Sequence, residues 1–332
     1  MTTFTPDDSR YERMKYRRAG LSGIMLPEIS LGLWHNFGDR DDCRVYTRTL
    51  LTAFDNGITH FDLANNYGPE RGAAERNFGR ILHRQLRAYR DELIVSTKAG
   101  YYMWDGPYGD FGSRKYLIAS LNQSLRRMGL DYVDIFYSHR YDPDTPLEET
   151  MSALSDIVRQ GKALYVGLSN YRGEVLERAL EILRDNGTPC LVEQSRYSML
   201  VRTVEQDTLP VLERQQTGMI AFSPLAQGLL SDRYLDGIPE DSRIARGVGF
   251  LRHEHLTTST MRKAAALNDM AARRGQSLAG MAVAWLLRDQ RVTSVLMGAS
   301  SAEQILENIK ALEAAPFDAE ELERIDDILN TD

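Results

Sequence analysis

Short runs of β-branched and aliphatic residues alternate along the chain with longer stretches whose apolar positions recur at helical spacing. The runs fall at residues 29–34, 59–64, 93–98, 133–139, 163–169, 191–194, 219–223 and 292–298. Between them lie patterns such as Tyr46, Leu50, Ala53 and Phe54, or Leu154, Ile157 and Val158, which make one helix face apolar. Leu93-Ile94-Val95 is apolar without alternation, as expected of a strand covered on both faces. Eight strands separated by helices predict right-handed βαβ units and a parallel sheet. No linker or composition break divides the 332 residues, so residues 1–332 are expected to be a single domain. Eightfold repetition that closes is an α/β (β/α)8 TIM barrel; open repetition is a doubly wound sheet. The dinucleotide fingerprint of the open fold is missing after the first strand. Gly247 and Gly249 begin such a pattern, but Arg252 ends it, far from any suitable strand.

Local signals refine this outline. Thr145-Pro146-Leu147-Glu148 has the order of a cap, a first-turn proline and a capping-box acid. Ser300-Ser301-Ala302-Glu303-Gln304 offers two overlapping capping boxes, and Asp318-Ala319-Glu320-Glu321 opens a last helix. Ahead of the first barrel strand, residues 15–18, the turn Gly20-Leu21-Ser22-Gly23 and residues 24–26 predict a β-hairpin closing the barrel bottom. Two segments exceed ordinary loop length. Residues 100–113 carry Tyr101, Tyr102, Met103, Trp104, Tyr108 and Phe111; residues 225–256 carry Arg233, Arg243, Arg246 and Arg252. Long loops in a compact domain are usually functional. These are expected at the C-terminal face, where barrel enzymes keep their active sites.

Composition narrows the functional classes. Forty basic against forty-seven acidic residues, a net charge of −7, argue against a general nucleic-acid binder. No stretch approaches a membrane span, and MTTFTPDDSRYERMKYRRAG lacks the apolar core of a signal peptide. Cys43 and Cys190 fit no disulfide framework or zinc pattern. The expectation is a cytoplasmic, reduced protein without a membrane partner. No metal site is evident: the six histidines form no H-E-x-x-H, and His253 and His255 fall in the longest loop.

Three ionisable residues end consecutive predicted strands: Asp62, Lys98 and His139, with Tyr67 in the loop after the second. Singly, Asp62 reads equally as a turn cap, Lys98 as a solvated strand end and His139 as an interior histidine. Together they converge on the face where polar strand ends are usually catalytic. A tyrosine is a poor acid at neutral pH. A nearby ammonium stabilises its phenolate, and a carboxylate holds that ammonium. A histidine can polarise a carbonyl. The set suits proton delivery to an oxygen gaining negative charge, as in hydride reduction of a carbonyl; a nicotinamide or flavin must supply the hydride.

These residues carry a resemblance. Gly-Ile-Thr-His-Phe-Asp62-Leu-Ala-Asn-Asn-Tyr67-Gly, Ser-Thr-Lys98 and Tyr-Ser-His139-Arg resemble the aldo-keto reductases. So do Val-Gly-Leu-Ser169-Asn170, Glu193-Gln194, Ala-Phe222-Ser223-Pro-Leu-Ala-Gln-Gly228 and Met-Gly298-Ala-Ser300. The resemblance spans about residues 15–330. It is nearest to the bacterial L-glyceraldehyde 3-phosphate reductases and the related potassium-channel β subunits, through Ser-Leu-Gly-Leu-Trp-His-Asn-Phe-Gly at 30–38, Ala-Gly-Tyr at 99–101 and Gly-Ser-Arg-Lys-Tyr-Leu at 112–117. It implies Tyr67 as general acid, Lys98 lowering its pKa, Asp62 pairing with Lys98, and His139 orienting the carbonyl.

The resemblance further implies NADP(H). Ser169, Asn170 and Gln194 match positions that hold the nicotinamide carboxamide, and Phe222 the aromatic that stacks on the ring; without the motif, Phe222 reads as core packing. Gly32, Leu33 and Trp34 match residues lining cofactor and substrate. Ser223, Leu225, Gln227 and Gly228 match the pyrophosphate-covering loop, and Arg233 and Arg243 the cations beside the 2′-phosphate. Gly298, Ser300, Gln304, Glu307 and Asn308 match the last site, at a helix start suited to anions. Trp34, His35, Asn66, Tyr67, Tyr101, Trp104 and His139 are the expected substrate wall, whose bulk favours short aldehydes such as L-glyceraldehyde 3-phosphate and methylglyoxal. Glu193-Gln194-Ser195-Arg196-Tyr197-Ser198-Met199 departs from the His-Gln-Pro-Ser-Tyr-Asn-Leu of near relatives, and Ser169-Asn170 from their frequent Ser-Ser. Arg140 reads either as a contact to a substrate phosphate or as an ion pair with Asp142 or Asp144. The resemblance also allows a tetramer or octamer. It leaves a second class open, an NADPH-sensing partner subunit. The short segment ahead of the barrel is expected to favour the free enzyme.

Overall fold

The computed structural model of the chain describes residues 4–68, 70–234, 237–238 and 256–331. An antiparallel hairpin, β1 (Tyr16–Arg18) and β2 (Met25–Pro27), precedes the barrel, with Arg17 opposite Leu26. The barrel strands are β3 (Ile29–Gly32), β4 (His60–Asp62), β5 (Ile94–Ala99), β6 (Val133–Ser138), β7 (Ala163–Ser169), β8 (Cys190–Arg196), β9 (Gly218–Phe222) and β10 (Val292–Met297). They close in the order β10-β3-β4-β5-β6-β7-β8-β9, all neighbours parallel. Every predicted strand is present. β3 and β4 are shorter than their apolar runs because single bonds, Leu33 N to Asp62 O and Leu63 N to Ser96 O, carry the ladder past them before the chain turns away.

The outer layer is built from α1 (Cys43–Asp55), α2 (Ala73–Ile81), α3 (Arg114–Met128), α4 (Leu147–Arg159), α5 (Gly173–Asp185), α6 (Val204–Asp207), α7 (Leu209–Gln215), α8 (Thr258–Arg273), α9 (Leu278–Leu287), α10 (Ala302–Ile309) and α11 (Ala319–Asn330). None of the described helices is long and apolar enough to cross a membrane. Caps settle several starts. Of the overlapping serines, Ser301 caps α10, while Ser300 N donates to Gln304 Oε1 at 2.8 Å. Asp318 and Glu321 form the full capping box of α11. The expected cap by Thr145 is corrected: Pro146 is the N-cap of α4, and Thr145 Oγ1 donates instead to Asp142 Oδ2 at 2.6 Å. Asp142 is buried and also accepts from the Gly112 and Asp144 N–H groups, so it is the stronger acceptor.

Strand pleat divides each barrel strand between two cores. Outward residues such as Leu31, Phe61, Val95, Phe136 and Met219 pack under the helices. Inside the barrel, Ile135, Tyr137, Val192, Ile220 and Leu296 form a second cluster, closed at the bottom by Ala19 and Leu26 of the hairpin segment. Gly167 lies beside Tyr137 on the neighbouring strand; a Cβ at Gly167 would lie 2.4 Å from the ring. Glu193 is buried on β8, with Oε1 accepting from Ser195 Oγ at 2.8 Å. Burial pushes its carboxyl up to about 8, only partly offset by Ser195 and the backbone N–H groups of residues 170–171.

Two outcomes follow. Gly167→Ala should lower stability by about 1–3 kcal/mol in chemical denaturation, since the ring has nowhere to move. Glu193 keeps its proton in the native chain up to about pH 8 but loses it above 4.5 once unfolded, so stability falls as pH rises through that window. Glu193→Gln should flatten this decline, which is on the order of 5 kcal/mol; an unchanged pH slope would show that Glu193 is ionised in the native protein.

Candidate active site

Asp62 is the last residue of β4 and Lys98 the penultimate residue of β5, both pointing inward by strand alternation. His139 follows β6 directly, and its N–H donates to Ala99 O at 2.9 Å. Tyr67 sits in the turn after β4, where Tyr67 N donates to Ala64 O at 3.1 Å and Ala74 N to Tyr67 O at 3.3 Å. The start of α2 therefore holds the tyrosine over the barrel mouth.

Lys98 Nζ pairs with Asp62 Oδ2 and donates to Leu63 O at 2.8 Å, with both charged side chains fully buried. Asp62 Oδ1 takes Ser96 Oγ at 2.6 Å and Gln194 Nε2 at 3.3 Å. Burial pulls Lys98 below the ordinary lysine range, and Asp62 and Glu75 oppose that pull. The ammonium lies 5.1 Å from the centroid of the Tyr67 ring. The expected lowering of Tyr67 is corrected: burial, then Asp62 and Tyr101, push the phenol well above 10. The physical reason is burial, which strips a phenolate of its hydration, with the Asp62 charge adding to the cost. Tyr67 is thus held as the protonated phenol, the form a proton donor needs. His139 is held neutral, well below 6.5, by burial and then by Lys98 and Arg140; its Nδ1 is buried without a partner among the described residues.

Five rings gather at this centre. Tyr101 stands edge-on to His139 at 4.7 Å, Tyr67 meets His139 at 5.8 Å, and Trp34 lies 6.3 Å from Tyr67 and 4.0 Å from His35. Asn66 is half-buried beside Tyr67, with its Oδ1 unpartnered among the described residues. Trp104 packs against Tyr116 at 5.2 Å. The Tyr116 hydroxyl donates to Tyr101 O and accepts from Asn65 Nδ2 at 3.0 Å, so this layer supports Tyr101 from behind.

The residues matched to a cofactor surround the same mouth. Ser169 Oγ donates to Gln194 O at 2.8 Å, and Asn170 Nδ2 donates to His139 O at 3.0 Å. Asn170 has a left-handed backbone, φ +60°, a conformation asparagine tolerates. Phe222 is half-buried at the end of β9; Ser223 and Gln227 also have positive φ, and Gly228, φ +105°, could not hold a Cβ without strain. Leu225 is half-buried in this turn, and Arg233 lies exposed in the next one. Arg243 lies outside the described residues, as do Arg246, Arg252, His253 and His255. Gly32 lies against Leu296, with a Cβ position 3.3 Å from its Cγ, and Leu33 is fully buried. Beyond Gly298 a Cβ would meet nothing within 4 Å. Ser300 and Gln304 bond to each other, Glu307 pairs with Lys310 at 2.9 Å, and Asn308 Nδ2 is buried without a partner among the described residues. An open glycine, an orphaned amide and a turn with left-handed backbone fit a bound nucleotide.

Arg140 forms an ion pair, but not with Asp142 or Asp144. Its guanidinium pairs with Asp110 at 2.7 Å, donates to Gly100 O at 2.6 Å, and lies over the Tyr101 and Phe111 rings at 4.5 and 4.2 Å. Asp142 is already committed to Gly112, Asp144 and Thr145, which leaves Asp110 as the partner. Sequence reasoning missed His60, Asn65, Ser96 and Tyr116. Alternation from Asp62 and Lys98 could have placed His60 and Ser96 on the inward face. No group of three or more His, Cys, Asp or Glu among the described residues is placed to hold a metal ion.

The sequence profile of the Aldo/keto reductase family matches residues 28–330. The chain is 56% identical over 321 residues to an L-glyceraldehyde 3-phosphate reductase of Escherichia coli (strain K12), covering 96% of this chain and 93% of that one. It is 36% identical over 308 residues to a probable voltage-gated potassium channel subunit beta of Oryza sativa subsp. japonica, covering 92% and 93%. The fold superposes on a holo-form aldo-keto reductase of Bacillus halodurans with a TM-score of 0.76 at 27% identity, over 95% and 96% of the two chains. An eight-stranded closed barrel, with a lysine–aspartate pair beneath a tyrosine and a neutral histidine at its mouth, agrees with these similarities: the chain belongs to the aldo/keto reductase family and is an oxidoreductase.

Proposed function

We propose that the protein is an NADPH-dependent reductase of small aldehydes, among them L-glyceraldehyde 3-phosphate and methylglyoxal. The observation that carries this reading is the buried Lys98–Asp62 pair beneath a protonated Tyr67, with neutral His139 5.8 Å from the tyrosine ring. Similarity to the Escherichia coli reductase supports the phosphorylated substrate. Ser169, Asn170 and Gln194 would hold the nicotinamide carboxamide, Phe222 the ring, the turn from Ser223 to Gly228 the pyrophosphate, and Arg233 and Arg243 the 2′-phosphate. When bound, the nicotinamide supplies hydride to the carbonyl carbon.

The chain's own residues handle the oxygen. His139 and the Tyr67 hydroxyl bind the carbonyl oxygen and orient it, and Tyr67 gives up its proton as negative charge develops there. Lys98 stabilises the phenolate that remains, and Asp62 keeps Lys98 charged in its buried setting. Trp34, Tyr101 and Tyr67 exclude water and bound the pocket to short substrates. A second reading, an NADPH-sensing partner subunit, draws on the similarity to the channel β subunit; tight NADPH binding with negligible turnover of every aldehyde would select it.

Following NADPH absorbance with L- and D-glyceraldehyde 3-phosphate, methylglyoxal and 4-nitrobenzaldehyde tests the proposal. Tyr67→Phe should reduce turnover by about 10²–10⁴-fold while leaving NADPH affinity nearly intact; retained turnover would reject Tyr67 as the acid. The double variant Arg233→Ala/Arg243→Ala should weaken NADPH binding roughly tenfold or more and leave NADH binding unchanged. Equal losses for both cofactors would place the 2′-phosphate elsewhere.

A further inference from the structure

Below the Asp62–Lys98 pair the barrel interior holds a chain of polar groups that the reaction as described does not use. Ser294 Oγ lies 2.6 Å from Ser30 Oγ, Ser30 Oγ 2.9 Å from His60 Nδ1, His60 Nε2 3.0 Å from Ser96 Oγ, and Ser96 Oγ 2.6 Å from Asp62 Oδ1. All five side chains, from β10, β3, β4 and β5, are fully buried. A hydroxyl has one proton to donate. Ser96 spends its proton on Asp62, a carboxylate that also accepts from Lys98 and Gln194. Ser96 can then only accept from His60, which requires a proton on Nε2. With one ring proton there, His60 Nδ1 is bare and accepts from Ser30, and Ser30 in turn accepts from Ser294. Burial, pulling His60 down to about 4 against the counter-effect of Asp62, keeps the ring at one proton near neutral pH.

We infer that His60 is a positioning residue of the reductase: carrying its proton on Nε2, it directs a relay from Ser294 through Ser30 and Ser96 in which every hydrogen bond points at Asp62. The relay stabilises the carboxylate and so keeps the proton on Lys98 rather than letting it pass to Asp62, where two buried neutral groups would replace the ion pair. The groups facing Asp62 are His60 on its own strand, Ser96 and Lys98 on β5, Tyr137 on β6, Gln194 on β8 and Tyr67 above; Glu75 on α2 acts on Lys98. Asp62, Lys98 and Glu75 are the charged members of this set. In its effect on turnover the inference rests on the proposed role of Tyr67 and Lys98; the ring's tautomer does not.

The test has two arms. The first is 15N NMR of the full chain labelled at histidine, with and without NADPH. One imidazole, lost in His60→Gln, should have a protonated Nε2 and a bare Nδ1, unchanged between about pH 6 and 8 where an ordinary histidine titrates. A proton on Nδ1, or on both nitrogens, overturns the relay. The second arm is the pH profile of kcat/KM. Ser96→Ala removes a donor to Asp62, so the alkaline fall in activity should move down by about one pH unit, the size of one hydrogen bond to an ionised group. His60→Gln, whose amide can still donate to Ser96 and accept from Ser30, should stay nearer wild type. An unmoved alkaline limb in Ser96→Ala, with only its height reduced, marks the chain as inert filling and overturns the inference. Should Tyr67→Phe retain turnover while the Nε2 tautomer is found, the proposed chemistry fails and the relay stands.

Discussion

A lysine and an aspartate share the dry interior of this barrel, and much of the surrounding structure exists to make that tolerable. Two isolated charges there would each face several kcal/mol of lost hydration. Lys98 and Asp62 meet it by direct pairing and by additional partners: Leu63 O for the ammonium, and Ser96 and Gln194 for the carboxylate. Those partners come from β5, β8 and the turn after β4, so the pair is satisfied only when the barrel is closed in its native register. The fold and the reactive centre are in this sense one interaction.

The barrel core is built in two halves around that requirement. Ser30, Ser294, His60 and Ser96 line one side as a hydrogen-bonded chain, while Ile135, Val192 and Ile220 fill the other. Gly167 leaves room for Tyr137 between them, and the hairpin seals the lower end with Ala19 and Leu26. A sealed, apolar floor keeps water from competing with the polar chain, which strengthens each bond in it. The open end is held as firmly: Tyr116 supports Tyr101 from behind, Asn170 fastens the turn after β7 to His139 O, and α2 anchors Tyr67. Rigid support of this kind suits a site that must hold reacting groups in register.

Much of this was legible from residue order. Strand alternation and helix periodicity are local, and together with turn and cap signals they identified all eight barrel strands, the hairpin and the start of the last helix at Asp318. The motifs around Asp62, Tyr67, Lys98 and His139 named a centre that the structure assembles. The failures share a cause. Thr145 was expected to cap α4 and Arg140 to reach Asp142 or Asp144, yet Asp142 is buried and already engaged, a competition invisible along the chain. Likewise the direction of the effect on Tyr67 depends on how deeply the phenol is buried and on the Asp62 charge beside it.

The sequence by itself determined the elements, their order, the family and the candidate reactive groups, because each is written in spacing, residue type or a contiguous motif. Only the tertiary structure decided which polar groups share a partner. His60 and Ser96 lie two residues from Asp62 and Lys98, so their inward orientation was implicit in the pleat. Their bonding to each other and to Ser30 required β3, β4 and β5 to stand side by side in one register. Hydrogen bonds between strands depend on positions distant in the chain, and the direction of each proton depends on the whole set of acceptors around it.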